Sequence, residues 1–210
     1  MPITNPCFIS YPHPKIKGSR LATFIEELST ELGSLLDGFV PGEVAIDINR
    51  LQPGYNYNIA LQQDICKSVC MVVVYVPEYA NREYCRREFE LMERIDQRRR
   101  AALGAGAGKY QFIIPVSLTS MQKLPKRLTA DLRDTADFSP YMNLPDVGKR
   151  RFKHEKELQQ HVIRISRTIR ELYELLERQS GFGDATSCCG EALAASNSVP
   201  AWESAPPFPR

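Results

Sequence analysis

One run of seven apolar residues constrains the fold of this chain more than any other feature. The run CMVVVYV occupies residues 70–76, includes three valines and shows no alternation with polar residues. A strand with this pattern is covered on both faces, which is typical of the central strands of a parallel sheet. Residues 70–76 therefore predict a central parallel strand between two layers of helices.

Other apolar runs and amphipathic stretches alternate along the chain. Strands are predicted at residues 7–11, 43–48, 70–76 and 111–118, with a short fifth at 136–141. Helices are predicted from Ser19 to Leu36, at 57–68, at 79–95 and at 154–178. This alternation indicates an α/β fold with a parallel sheet and helices on both faces. Ligands of such folds bind beyond the carboxyl ends of the strands.

The last helix and the residues after it differ in character. Apolar residues recur at intervals of four and three through residues 158–176, which fits either a coiled-coil seam or a helix packed on the sheet. The stretch is shorter than three heptads, which favours the packed helix. Residues 179–210 are rich in small residues and proline, which predicts a disordered tail. Cys188 and Cys189 lie there, without a membrane-proximal signal that would favour lipidation.

Composition excludes several classes of function. The 210 residues are 43% hydrophobic and 25% charged, and the net charge of +2 does not favour nucleic acid or a membrane as partner. The N-terminal residues do not form a secretory signal, and no apolar run is long enough to span a bilayer. Cys7, Cys70 and Cys85 lie in apolar segments, as buried thiols do in a reducing compartment. We therefore expect a cytoplasmic protein without a zinc site.

Three conspicuous segments carry no function in this interpretation. GAGAGK at residues 104–109 has three residues between the outer glycines where a phosphate-binding loop needs four, and it connects a helix to a strand. The basic clusters at residues 98–100 and 149–153 are balanced by acids elsewhere, so we expect them on a solvated face. SYPHP after the first strand lacks an acidic pair, which argues against a phosphoreceiver.

The predicted helix at residues 79–95 has one acidic residue on its apolar face. On a helical wheel Glu88 lies within the apolar arc, between Tyr84 and Met92, whereas the other acids lie opposite. An ionised carboxylate in apolar surroundings is costly unless a partner satisfies it. Glu88 is therefore either a structural carboxylate with a distant partner or a carboxylate directed into a pocket.

The order of segments resembles a Toll/interleukin-1 receptor (TIR) domain. CFISYPHPKIKGSRLATFIEEL is similar to the family's first strand, loop and helix, and AIDINRLQPGYNYNIALQQDICKS to its second strand, loop and helix. CMVVVYVPEYANREYCRREFELM resembles its third strand and the helix with an aromatic–Cys–x–x–Glu pattern. Pro77 replaces the usual serine after the third strand, and Tyr84 stands where the family often has tryptophan.

The resemblance implies a TIR domain over residues 5–178 with a flavodoxin-like sheet of about five parallel strands, followed by the tail at 179–210. The chain resembles prokaryotic TIR proteins that cleave NAD at the nicotinamide–ribose bond. Their catalytic glutamate lies four residues after the helix aromatic, which corresponds to Glu88. NAD is then the substrate, and no cofactor or metal is implied.

The same resemblance suggests residues that contact the substrate. Tyr11 and His13 on the first loop are candidates for the ribose or phosphates, and Gly18 and Ser19 for phosphate at the first helix N-terminus. Tyr55 on the second loop is a candidate for stacking on a base. The structural alternatives are an exposed His13 and a surface tyrosine at position 55, with Tyr57 as its competitor.

Two further residues have a substrate-binding and a structural interpretation. Tyr84 is a candidate for contact with the ribose or nicotinamide, and its alternative is a core position. Asp47, at the end of the second strand, organises the second loop or contacts the substrate.

The expected function is NAD cleavage in immune or cell-death signalling, of the kind used in bacterial defence against phage. Self-assembly through TIR–TIR contacts and a partner that senses the product are implied. The alternatives are a non-catalytic scaffold that binds other TIR domains and an enzyme similar to nucleoside deoxyribosyltransferases.

Overall fold

A five-stranded parallel sheet forms the centre of the computed structural model, which describes residues 3–14, 16, 18–46, 57–129, 135–143, 152 and 155–178. The strands are β1 (Asn5–Ser10), β2 (Ala45–Ile46), β3 (Ser68–Tyr75), β4 (Ile113–Ser117) and β5 (Ala136–Asp137). They lie in the order β2-β1-β3-β4-β5, and every neighbouring pair is parallel. The predicted parallel sheet is confirmed.

Helices connect the strands. They are α1 (Arg20–Leu36), α2 (Tyr57–Lys67), α3 (Glu83–Leu103), α4 (Lys126–Thr129) and α5 (Lys156–Arg178). The chain crosses through α1 to β2 on one side of β1, and then through α2 to β3 on the other side. Because such crossovers are right-handed, α1 and α2 lie on opposite faces of the sheet. In agreement, α1 packs against α5, and α2 packs against α3.

The central position of β3 is confirmed. It pairs with β1 on one side and β4 on the other, and all eight of its residues are buried. The outer strands β2 and β5 form only two ladder positions each among the described residues. Each has a single neighbour in the sheet. Among the described residues, β2 begins two residues later and β5 ends four residues earlier than predicted.

The contacts of the last helix distinguish between a coiled-coil seam and a helix packed on the sheet. Its apolar stripe is entirely buried and packs on α1 and on the central strands. The buried positions are Leu158, Val162, Ile165, Ile169, Leu172 and Leu176. α5 is therefore a helix packed on the sheet. The predicted tail at 179–210, including Cys188 and Cys189, lies outside the described residues.

Several smaller predictions are also confirmed. Cys7, Cys70 and Cys85 are buried free thiols. Residues 104–109 form a short 3-10 turn between α3 and β4, so this segment is a helix-to-strand connection. Within the part of the chain that the structure describes, no helix has the length and apolar character needed to cross a membrane.

Candidate functional site

Glu88 lies on the second turn of α3, close to the carboxyl ends of β1 and β3. After β3 the chain makes a 3-10 turn at Tyr79–Asn81, and the extended backbone of Arg82 caps the start of α3. This short connection brings the first turns of α3 back over the strand ends. Glu88 is only 3% exposed, so the helical wheel placed it correctly on the buried face.

A serine from β1 holds the Glu88 carboxylate. The hydroxyl of Ser10, the last residue of β1, donates a hydrogen bond of 2.5 Å to Glu88 Oε2. The Ser10 oxygen also lies 2.7 Å from the phenol oxygen of Tyr79, which is 3.3 Å from the backbone carbonyl of Cys85. We call Glu88, Ser10, Tyr79 and the Cys85 carbonyl the carboxylate chain.

Electrostatics keep the Tyr79 phenol protonated. Burial, followed by the nearby Cys85 and Glu88, raises the pKa of Tyr79 well above its usual value. The phenol therefore has a proton to donate throughout the physiological pH range. The carboxylate chain therefore places two hydroxyl donors beside Glu88, which accepts hydrogen bonds when it is ionised.

The first loop connects to α3 next to this chain. The backbone N–H of His13 donates to the Tyr84 phenol oxygen at 2.5 Å, and the two rings lie 5.0 Å apart between centroids. The Tyr11 ring lies 5.7 Å from the His13 ring on the other side. Three predicted site residues, Tyr11, His13 and Tyr84, are therefore neighbours.

The burial of these three side chains differs. Tyr11 is 2% exposed, so its ring belongs to the core, whereas His13 and Tyr84 are partly exposed at the rim. Burial raises the pKa of Tyr84, and the hydrogen bond from His13 opposes this effect. The rim of the site is therefore formed by an imidazole and a neutral phenol, and contact of these residues with a substrate stays a prediction.

Two predicted site residues at the N-terminus of α1, Gly18 and Ser19, have structural roles. Ser19 is the N-cap, as expected, and its hydroxyl accepts a hydrogen bond from the Ala22 N–H at 3.3 Å. Gly18 precedes it with φ of 75°, a conformation that favours glycine. The next residue, Arg20, donates to the backbone carbonyl of Met142, which ties α1 to the turn after β5. A phosphate contact by Gly18 or Ser19 stays a prediction.

Two predicted site residues, Asp47 and Tyr55, lie outside the described residues. Conversely, Ser10 and Tyr79 were not predicted from the sequence as functional residues. Ser10 is a polar residue at the carboxyl end of an apolar strand, and this signal could have identified it. Tyr79 gave no comparable signal, because a tyrosine next to a strand is commonly a core residue.

A cavity of about 370 Å³ lies elsewhere in the molecule. It is bordered by the residues before β4, the first residue of β5 and the helix α5, including Tyr110, Ala136 and Arg164. This is the amino edge of the sheet, whereas the carboxylate chain lies at the carboxyl edge. Glu88 is not among the residues that line this cavity.

The sheet order and the polar cluster at the carboxyl edge define a flavodoxin-like α/β protein with a buried carboxylate on its third helix. The family model for the TIR domain matches residues 8–144, well over half of the chain. The chain therefore belongs to the TIR domain family. Among curated proteins, no match to the chain is found. The helix α5 lies beyond the matched residues and completes the layer that contains α1.

Proposed function

We propose that this TIR domain cleaves NAD at the bond between nicotinamide and ribose, with Glu88 as the catalytic residue. The observation that carries the proposal is the position of the Glu88 carboxylate. It lies at the carboxyl edge of the central strands, where ligands of this fold class bind, and a hydroxyl donor orients it. His13 and Tyr84 form a partly exposed rim beside it.

The chemistry of this bond suits a single carboxylate. Departure of nicotinamide from ribose C1 leaves positive charge on the sugar, as in glycoside hydrolysis. A fixed negative charge in a site with little water stabilises that developing charge strongly. Nicotinamide leaves as a neutral molecule, so the reaction requires no general acid.

The near-complete burial of Glu88 implies a gating step. With 3% exposure, the carboxylate meets a substrate only after a neighbouring group has moved. The link between the His13 N–H and the Tyr84 phenol joins the first loop to α3 beside it. We propose that self-association through TIR–TIR contacts opens this link, so that the assembled protein is the active form.

The proposal includes a signalling role. The products are nicotinamide and ADP-ribose, or a cyclic or conjugated form of ADP-ribose that a downstream effector senses. Such an enzyme acts in cytoplasmic immune or cell-death signalling, as in defence of bacteria against phage. Tyr55 on the second loop is proposed to stack on a base of NAD.

The test is nicotinamide release from NAD by purified protein over a range of protein concentrations. We expect release that increases faster than linearly with protein concentration and falls by at least about 10³-fold in Glu88→Gln. Glu90→Gln is the matched control. Glu90 lies on the same helix and pairs with Arg127 at 3.4 Å, and Arg127 keeps its closer partner Glu93 at 2.6 Å when Glu90 is changed.

Glu90→Gln should release nicotinamide at the wild-type rate. Equal release by wild type and Glu88→Gln would refute the assignment of the catalytic residue. Absence of release at every concentration would refute the enzyme. Release of base from deoxynucleosides, with none from NAD, would favour a deoxyribosyltransferase-like activity.

A non-catalytic scaffold is the second candidate. The burial of Glu88 against Ser10 is the observation that favours it, because a carboxylate so enclosed also fits a structural role. A scaffold would associate with itself or with another TIR domain, as measured by light scattering, with no release of nicotinamide in the assembled state.

A further inference from the structure

Two hydroxyl groups in the carboxylate chain have a role that the proposed function leaves unassigned. Ser10 is 1% exposed and Tyr79 is fully buried, so neither side chain contacts solvent. Their oxygens are 2.7 Å apart, and Ser10 Oγ is 2.5 Å from Glu88 Oε2. The distances define a continuous path of hydrogen bonds from the carboxylate to the Cys85 carbonyl.

The number of protons in this path fixes its direction when Glu88 is ionised. A carboxylate only accepts hydrogen bonds, and each hydroxyl has one proton to donate. Ser10 then donates to Glu88, and the short contact between Ser10 and Tyr79 requires the Tyr79 proton. The longer 3.3 Å contact from Tyr79 to the Cys85 carbonyl is not used in this state.

The direction reverses when Glu88 is neutral. The protonated carboxyl group donates to Ser10, Ser10 donates to Tyr79, and Tyr79 donates to the carbonyl of Cys85. Every proton of the path has an acceptor in both states. The switch between the states moves protons only, and the heavy atoms keep the distances given above. A buried polar group without a partner costs about 1–3 kcal/mol, and the reversible path gives each of its own protons an acceptor in either state.

We infer that Ser10 and Tyr79 are positioning residues that orient the Glu88 carboxylate and let it change protonation while each proton of the chain keeps an acceptor. In the ionised state Ser10 stabilises the charge that the reaction uses, and the donation from Tyr79 polarises the Ser10 hydroxyl and strengthens this bond. The catalytic part of this inference rests on the proposed NAD cleavage. The hydrogen-bonding part does not.

Other titratable groups face the same region. They are Tyr79 on the turn before α3, Tyr84 and Cys85 on α3, and His13 on the first loop, which contacts Tyr84. The pKa values of both tyrosines are raised by burial, so both phenols stay neutral at the pH values where a carboxylate titrates. The experiment therefore uses a probe that reports on Glu88 alone.

The experiment compares Ser10→Ala and Ser10→Thr with wild type in two measurements. The first follows the carboxyl carbon resonance of Glu88 in protein labelled with ¹³C-glutamate, assigned by its loss in Glu88→Gln, as pH is varied. Loss of a donor to the carboxylate should shift the midpoint of this titration upward by about 1 pH unit in Ser10→Ala. Ser10→Thr retains the hydroxyl and should keep the wild-type midpoint.

The second measurement is the steady-state rate of nicotinamide release. Ser10→Ala should lower kcat by about 10- to 100-fold with little change in KM, and Ser10→Thr should restore most of it. Ser68→Ala is the matched control. Ser68 is also a buried serine at the end of a strand, but it donates to the Asp64 carbonyl at the opposite edge of the sheet.

The outcomes separate the two proposals. A midpoint in folded Ser10→Ala that equals that of wild type overturns the inference. Where wild type releases nicotinamide, a kcat of Ser10→Ala equal to that of Ser68→Ala overturns its catalytic part. If wild type releases no nicotinamide while the midpoint shifts as expected, the proposed function fails and the carboxylate chain is supported.

Discussion

The buried face of α3 has charged side chains near both of its ends, and their surroundings differ. At the N-terminal end, Glu88 accepts a hydrogen bond from the side-chain hydroxyl of Ser10. Toward the C-terminal end, Arg99 donates to the backbone carbonyls of Val69, Cys66 and Ser68, at 2.5, 3.3 and 3.0 Å. Asp96 accepts from the backbone N–H of Phe112 and pairs with Arg100 at 2.6 Å.

This difference distinguishes the charges that bind the backbone from the proposed catalytic carboxylate. Arg99 and Asp96 bind backbone groups at the starts of β3 and β4, so they fix the helix to the sheet. A hydroxyl can rotate and can either donate or accept, whereas a backbone carbonyl can only accept. Glu88 therefore has a partner that suits a group whose charge or contacts change during a reaction.

The largest expected effect is on stability, from a substitution near the C-terminal end of α3. Arg99→Met should lower the free energy of unfolding by about 3 kcal/mol, because it leaves three buried carbonyls without their charged donor. Urea unfolding monitored by circular dichroism measures this loss. Arg98→Met, at an exposed position on the same helix, should stay within about 0.5 kcal/mol of wild type. A loss below about 0.5 kcal/mol for Arg99→Met would show that these contacts do not hold the helix.

Asp96→Asn should have the next largest effect. It removes the charge that pairs with Arg100 and keeps an oxygen that can accept from the Phe112 N–H. We expect a loss of about 2 kcal/mol in urea unfolding, with nicotinamide release by the folded variant equal to wild type. A selective loss of release would mean that the two ends of α3 are not functionally separate.

Alkaline pH should weaken the protein through its buried thiols and phenols. Burial raises the pKa of Cys70 from 9.0 to about 12, with Arg99 opposing this effect, and burial also raises the pKa of Tyr79. The unfolded chain releases these protons at lower pH than the folded chain, so stability is complete below pH 9 and falls as pH rises toward the folded values.

For Cys70 alone, the expected loss between pH 8 and pH 10 is about 1.4 kcal/mol. Urea unfolding at these two pH values measures it, and the decrease should be smaller by this amount in Cys70→Ala. An identical decrease in the two proteins would contradict the raised pKa of Cys70.

The smallest expected effect concerns Ser19. Its hydroxyl accepts a hydrogen bond from a backbone N–H, as the Asp96 carboxylate does. Ser19→Ala removes the cap of α1 and should cost about 1 kcal/mol in thermal unfolding. Ser19→Asp, which retains a capping oxygen, should recover most of this loss. If Ser19→Asp is as unstable as Ser19→Ala, the cap does not stabilise α1.

Much of this architecture could be predicted from the sequence. The uninterrupted apolar run of β3 identified the central strand, and helical periodicity located the buried face of α3 together with Glu88. Both signals reflect burial, which is continuous along a strand covered on both faces and recurs with the helical period along α3. The same signals placed the start of β2 too early and the end of β5 too late, because apolar character does not report how many ladder positions an edge strand forms.

Partners that are distant along the chain could not be predicted. The solvated face predicted for residues 98–100 is wrong at Arg99, which is buried because it donates to carbonyls about 30 positions earlier, a relation without a local pattern. Ser10 appeared as one polar residue in an apolar strand, and its hydrogen bond to Glu88 spans 78 positions. The sequence therefore predicted the catalytic candidate without the hydroxyl groups that orient it.

The central claim is that Glu88 serves a reaction, whereas Asp96 and Arg99 serve the fold. The most direct test measures both nicotinamide release and the free energy of unfolding for wild type and Glu88→Gln. We predict that the substitution lowers release by at least about 10³-fold and leaves the free energy of unfolding within about 1 kcal/mol of wild type. A variant that loses several kcal/mol of stability, with release unchanged when folded, would contradict the claim and make Glu88 a structural residue.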